Sequence, residues 1–285
     1  MTFINSRGHE AVFGSGAPYV FWKIQGIELP EVTPIATQAG GQSGYTLHDV
    51  LLESRTVRLT GHVHGTAGVR DMYALRQRLC TVCNPLLGLG RLVYRNDVGA
   101  WQCPAFCVGN PYGTKMGEFQ TLEVAFECPS PFWRSADPVQ VGLAYVSGGL
   151  QFPIRTPGFF GTLGYRAVVD NDGDVVTPLE FHIEGGSINP IVRNVTTGEH
   201  IRLSRHLAHY DRLYVNTDPE KQEVSLVTVD PLTNQDVREN AYGYLTDDSA
   251  LFKLAPGKNE LTFTSDDENK RVRIRVLFYK RYAGV

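Results

Sequence analysis

Strict two-residue alternation, interrupted at short intervals by glycine, proline and acidic turns, limits what this chain can fold into more than any other feature. In TVRLTGHVHG, Val57, Leu59 and Val63 fall on one side, with Arg58, Thr60, His62 and His64 on the other. A strand turns successive side chains to opposite faces, so this spacing predicts a half-buried strand. QTLEVAFEC repeats the pattern with Leu122, Val124, Phe126 and Cys128 inward. RVRIRVLFYKRY sends Val272, Ile274, Val276 and Phe278 inward and Arg271, Arg273 and Arg275 outward. DNDGD, TTGE, TDPEK and APGKN are turn signals that separate further short strands. One segment has another period. In GVRDMYALRQRLCTVC, Met72, Leu75, Leu79 and Val82 recur at helical spacing, with Asp71 in the first turn and Arg78 toward the end. Asn84–Pro85 and Gly88 stop that helix, and a hairpin turning at Asn96–Gly99 follows.

The chain has 285 residues, which at roughly 150 residues per domain suggests two domains. Three prolines interrupt the strand pattern in PSPFWRSADPVQVG, so the expected domains are residues 1–135 and 136–285. The net charge is −3, divided as 11 Lys+Arg against 10 Asp+Glu in the first part and 16 against 20 in the second. Neither part carries the basic footprint that grips a phosphate backbone, so tight nucleic-acid binding is not expected. No apolar run approaches the ~20 residues of a membrane span, and the N-terminal MTFINSRGHEAVFGSG lacks an export pattern. All five cysteines lie between Cys80 and Cys128, an odd and clustered set that suggests free thiols in a reducing compartment.

Four of them, Cys80, Cys83, Cys103 and Cys107, form a C-x2-C and a C-x3-C pair nineteen residues apart, close to a zinc pattern. Zinc requires four sulfurs converging about 2.3 Å from one point. Here Cys80 and Cys83 fall on or beside the apolar arc of the helix, and Cys103 and Cys107 share a strand face with Trp101 and Ala105. Core filler is the expected role, with a four-thiolate site as the alternative. His62 and His64 share a strand face but lack a third ligand nearby in sequence; His206 and His209 could share a helical turn or lie in a loop. Asp170, Asp172 and Asp174 sit in a turn that misses calcium-loop spacing, since the sixth and twelfth positions hold Val175 and Phe181. No nucleophile elbow, phosphate loop or H-E-x-x-H motif is present, so no catalytic, metal or cofactor residues are assigned and no enzyme is expected. The outward arginines of 271–275 read as a solvated strand face, given the negative balance around them, with phosphate binding as the alternative.

The order of motifs then becomes informative. GYTLHDVLLESRTVRLTGHVHG, MYALRQRLCTVCNP, GLGRLVYRNDVGAWQC and FQTLEVAFECPSPFW resemble the N-terminal half of the distal tail (Dit) proteins of long-tailed bacteriophages, within the siphophage tail-component family. In that family a strand with an Arg at its start leads to a helix ending near Asn-Pro, then a hairpin, then a strand closing near C-x-x-P-F, as at Cys128–Phe132. TPLEFHIEGGSINPIVRNVTTGEHIRL, DRLYVNT, LFKLAPGKNELTF and YKRYAGV are similarly ordered in the second half, with Asn189–Pro190 and then Asn194 to Glu199. The resemblance spans about Tyr19 to Val285, and the cysteine richness is a departure from it. It implies a mainly β chain: an N-terminal β-barrel-like domain with one helix and an extended hairpin, and a C-terminal galectin-like or jelly-roll β-sandwich. It further implies a structural, non-enzymatic hub at the tail tip of a virion, made in the host cytoplasm. Six copies would form a ring joining the tail tube to the tail-tip or tail-associated lysin protein, around the tape measure protein and the passing DNA. The alternative is a carbohydrate-binding module serving host adsorption, for which Tyr210, Tyr214, Tyr242 and Tyr244 are the candidate stacking rings, although Tyr242 and Tyr244 could be strand core.

Overall fold

The computed structural model describes residues 1–16, 18–146, 164–229, 235–267 and 272–285, giving the backbone alone for 144–146 and 164. Arg271 lies outside the described residues. The chain divides into two compact units, Met1–Ala136 together with Tyr282–Val285, and Asp137–Arg281.

The first unit contains β1 (Thr2–Ile4), β2 (Glu10–Gly14), β3 (Tyr19–Gln25), β4 (Val32–Thr37), β5 (Thr46–Leu52), β6 (Arg55–His64), α1 (Val69–Val82), β7 (Gly90–Arg95), β8 (Ala100–Gly109), β9 (Tyr112–Met116), β10 (Phe119–Cys128) and β11 (Trp133–Ser135). Strand order runs β11-β8-β7-β1-β2-β3-β6-β10-β9, and β8 pairs β10 as well as β7. The circuit from β8 through β6 and β10 back to β8 is therefore closed. This is the expected barrel, in which closure removes sheet edges. The alternating positions read from the sequence face as expected, with Val57, Leu59, Val63, Leu122, Val124, Phe126 and Cys128 all buried. Gly61 has a steric reason: a Cβ there would lie 2.1 Å from the Val20 carbonyl oxygen, beside the register shift between Phe21 and Lys23. Met72, Leu79 and Val82 of α1 are buried against the barrel core, and the Tyr19 hydroxyl donates to the Leu75 carbonyl (2.8 Å). The helix ends at Cys83, and the Asn84 side chain then caps a short 3-10 turn at Pro85–Leu87. The hairpin joining β7 and β8 turns at Asn96–Gly99, as its sequence indicated.

The second unit adds β12 (Val139–Val146), β13 (Gly164–Asn171), β14 (Leu179–Glu184), β15 (Ser187–Ile188), β16 (Ile191–Asn194), β17 (His200–Arg202), β18 (His206–Leu207), β19 (Arg212–Asn216), β20 (Glu223–Val229), β21 (Asp236–Asn240), β22 (Gly257–Thr264) and β23 (Arg273–Phe278). One layer runs β17-β16-β22-β13 and the other β23-β14-β19-β20-β21, with β12 between β13 and β23. Val139–Leu143 pairs with β23, while Ala144–Val146 pairs with β13, so one strand serves both layers. The layers enclose one core in which Phe181 meets Phe252 edge-on (5.4 Å) and Tyr165 meets Phe263 likewise (5.6 Å). The acidic turn is held by Asn171, fully buried: its Nδ2 donates to the Val175 and Leu254 carbonyls and its Oδ1 accepts from the Gly173 amide. Asp172 pairs with Lys280 at the surface.

Candidate functional site

The sequence drew attention first to the thiols, and the fold distributes them. Cys103 on β8 and Cys128 at the end of β10 bring their sulfurs to 3.2 Å, and Cys83 is hydrogen-bonded to Cys107. The neighbouring thiol, followed by burial, pushes both Cys83 and Cys103 well above the ordinary thiol range, which keeps them protonated and inert. Cys80 departs from the core expectation: it is exposed, accepting from Asn110 Nδ2 (3.5 Å) and lying 3.8 Å from the Tyr112 hydroxyl. The two pairs of the sequence pattern are thus exchanged for two other pairs, because β8 crosses both the helix end and β10. No group of three or more His, Cys, Asp or Glu suited to a metal ion occurs among the described residues.

His62 and His64 lie on the outer barrel face with Trp22 and Phe119, His64 stacked on Phe119 at 4.2 Å and His62 between Trp22 (5.6 Å) and Phe119 (5.3 Å). Burial, and then the nearby His64, holds His62 below the ordinary histidine range. His206 lies in β18 and His209 in a turn, so they share no helix. Among the tyrosines, Tyr210 is 72% exposed, Tyr214 is crossed by Arg238 at 5.5 Å, and Tyr242 and Tyr244 form a 3-10 turn, correcting their strand alternative. No two of these rings form a shared flat platform.

The most distinctive surface is one the sequence reading did not single out. β4 and β5 form a separate two-stranded sheet, and every residue of both is exposed except the half-buried Leu52. Its register pairs Val32 with Leu52, Pro34 with Val50 and, beyond a bulge after Ile35, Ala36 with Leu47. Side-chain alternation puts all six on one face, since the bulge shifts β5 by one residue and so keeps Leu47 in phase. The opposite face is mixed: Thr33 with Leu51, Ile35 with Asp49, Thr37 with Thr46. Val32, Leu47 and Val50 remain 50%, 52% and 43% exposed. Hydrogen bonds close the far end, where Gln42 Oε1 accepts from the Ala39 amide (2.9 Å) and Gln38 Nε2 donates to the Gln42 carbonyl (3.1 Å). Pro34 lacks an amide and suits an outer strand. A lone two-stranded hairpin is marginal in water, and a contiguous apolar face of this kind marks an association surface. The signal available in the sequence was a glycine-rich turn, QAGGQSG, between two segments rich in Thr, Val and Leu.

Residues 172–282 match the family model described as the siphovirus-type tail component, C-terminal domain. No curated protein matches the chain in sequence. Solved structures do match its fold. The crystal structure of the Dit protein (gp 19.1) of phage SPP1, described as a paradigm of the hub adsorption apparatus in phages infecting Gram-positive bacteria, superposes with a TM-score of 0.68 at 11% identity, covering 98% of both chains. Chains of the phage P2 baseplate in its activated conformation, with calcium and with strontium, each give a TM-score of 0.57 at 10% identity; both cover 100% of this chain, and 98% and 99% of their own.

Proposed function

We propose that this chain, whose residues 172–282 match the siphovirus-type tail component model, is the hub of a phage tail tip and works by assembly, without making or breaking bonds. The reading extends from the family domain to the whole chain because the fold likeness to the SPP1 Dit protein covers 98% of it. Six copies, as the family resemblance implies, close through their N-terminal units into a ring. That ring connects the tail tube to the tip or lysin protein around the tape measure protein and the DNA path.

The observation that carries this is the unburied apolar face of the β4–β5 hairpin. A ring needs a heterologous contact, in which one surface of each copy meets a different surface of the next. A hairpin whose apolar side finds no cover among the described residues supplies the first of these. The near balance of charge in residues 1–135, 11 basic against 10 acidic, suits a channel through which a polyanion must slide, because clustered cations would hold it by counterion release. Light scattering on the full chain at micromolar concentration tests the reading. A closed assembly of about 190 kDa, six times 31.6 kDa, is expected; a monodisperse monomer refutes it.

A further inference from the structure

The outward arginines of the last long strand have no place in the hub reading, and their surroundings are built. Leu143–Ile274 is the final pair between β12 and β23, because β12 then leaves to join β13. Arg273 therefore begins β23 with only β14 beside it, opposite Glu184. Where the two strands part, a cleft of about 1050 Å³ opens. Its floor includes the buried Leu143 and Tyr165, and Gly142 and Gly185 leave its walls without side chains. Arg273, Arg275, His209 and Glu184 stand around it.

Charge around the cleft is unbalanced. Arg275 donates to Glu184 Oε1, and the neighbouring Arg212 is held by Asp236 at 2.5 Å. Arg273 is exposed and has no carboxylate partner among the described residues. Among the described residues one guanidinium is thus left over, lining a volume large enough for a ligand of several rings. The second half of the chain carries 16 basic against 20 acidic residues, so its wider field repels a long polyanion while a single anionic group inside the cleft still meets local positive charge. A neutral apolar ligand would leave Arg273 facing it unpaired, at a desolvation cost. The combination of an apolar floor, open glycine walls and one unpaired planar donor suits a sugar ring bearing phosphate or carboxylate.

We propose that this cleft binds an anionic saccharide, with the acidic group on Arg273 and the ring over the Leu143–Tyr165 floor. The choice of a saccharide rests on the tail-tip reading, since such a protein meets bacterial surface glycans; the site itself involves no residue of the hairpin. Calorimetry on the full chain at about 150 mM salt, where exposed long-range charge is screened within ~8 Å, tests it with four probes: glucose 6-phosphate, glucuronic acid, glucose and inorganic phosphate. At least one of the two acidic sugars should bind in the millimolar range or tighter, and which one identifies the acidic group. Glucose and inorganic phosphate should bind at least tenfold more weakly. Arg273→Gln should weaken the acidic sugar at least tenfold without lowering the melting temperature. Absence of binding by both acidic sugars, equal binding of inorganic phosphate, or an Arg273→Gln variant that binds as well as the parent overturns the proposal. Light scattering on the same samples reports separately on assembly, so failure of one reading is distinguishable from failure of the other.

Discussion

Arg55 is 2% exposed, and backbone carbonyls rather than a carboxylate hold its guanidinium. Nε and Nη2 donate to the Pro131 carbonyl (3.1 and 2.8 Å), Nη1 to those of Gly26 (2.8 Å) and Glu28, and Nη2 also to that of Ala283. The Trp133 ring lies 5.5 Å from Cζ, and its indole nitrogen donates to the Ile27 carbonyl. One side chain thereby fastens residues 26–28, 131–133 and the C-terminal residues to the start of β6. Arg55→Met should cost about 3 kcal/mol in urea unfolding, because a buried donor set is lost and several carbonyls are left without partners. Arg55→Lys should recover only part, since a single ammonium lacks the planar fork that reaches four carbonyls. At the thiols, iodoacetamide on the native protein should label Cys80 alone by mass spectrometry, with further adducts only after unfolding, because the other four are buried. A chelator should leave the melting temperature unchanged, since the nearest sulfurs form pairs rather than a tetrahedral set.

At the scale of elements, the β4–β5 hairpin and the outer face of β3–β6–β10 each predict something specific. Val32→Lys, Leu47→Lys and Val50→Lys together should reduce the assembled mass toward the monomer while leaving the barrel's unfolding midpoint within about 0.5 kcal/mol of the parent, as expected for exposed positions. If the triple variant assembles like the parent, the hairpin face is not the contact. On the outer face, His62 is held below its ordinary range by burial and by His64. Its neutral form is therefore the one the fold favours, so the stability it contributes is full above the unfolded value of about 6.5 and falls as pH drops through that value toward the lowered folded one. Thermal melts between pH 7.5 and 5 should show this decline. His62→Phe, which keeps a ring between Trp22 and Phe119 without a titrating group, should flatten it.

For the whole molecule, two different solutions to the same problem stand in one chain. The first unit closes most of its sheet into a circuit through the β8–β10 pairing, and the second folds a continuous sheet over its own core by passing β12 between layers. Legibility followed locality in both. The inward faces of β6, β10 and β23 and the apolar side of α1 could be read directly, because alternation and helical spacing reflect burial of neighbours along the chain. The hairpin escaped because its apolar face is covered by none of the described residues, and Pro34 blurs the strand pattern. The exchange of thiol partners escaped because Cys103 meets Cys128 only through the pairing of strands distant in sequence.

The amino-acid order by itself determined a mainly β chain with one helix in its first third, the expectation that it grips no polyanion tightly, and the likeness to tail components that the family match bears out. These are properties of composition, period and motif order, which need no knowledge of what lies across the fold. Only the tertiary structure decided which sulfurs touch and, among the described residues, which apolar face stays uncovered and which arginine lacks a carboxylate partner. Each of those depends on which elements meet and in what register, and a shift of one residue in a strand pair would turn every side chain concerned to the other face.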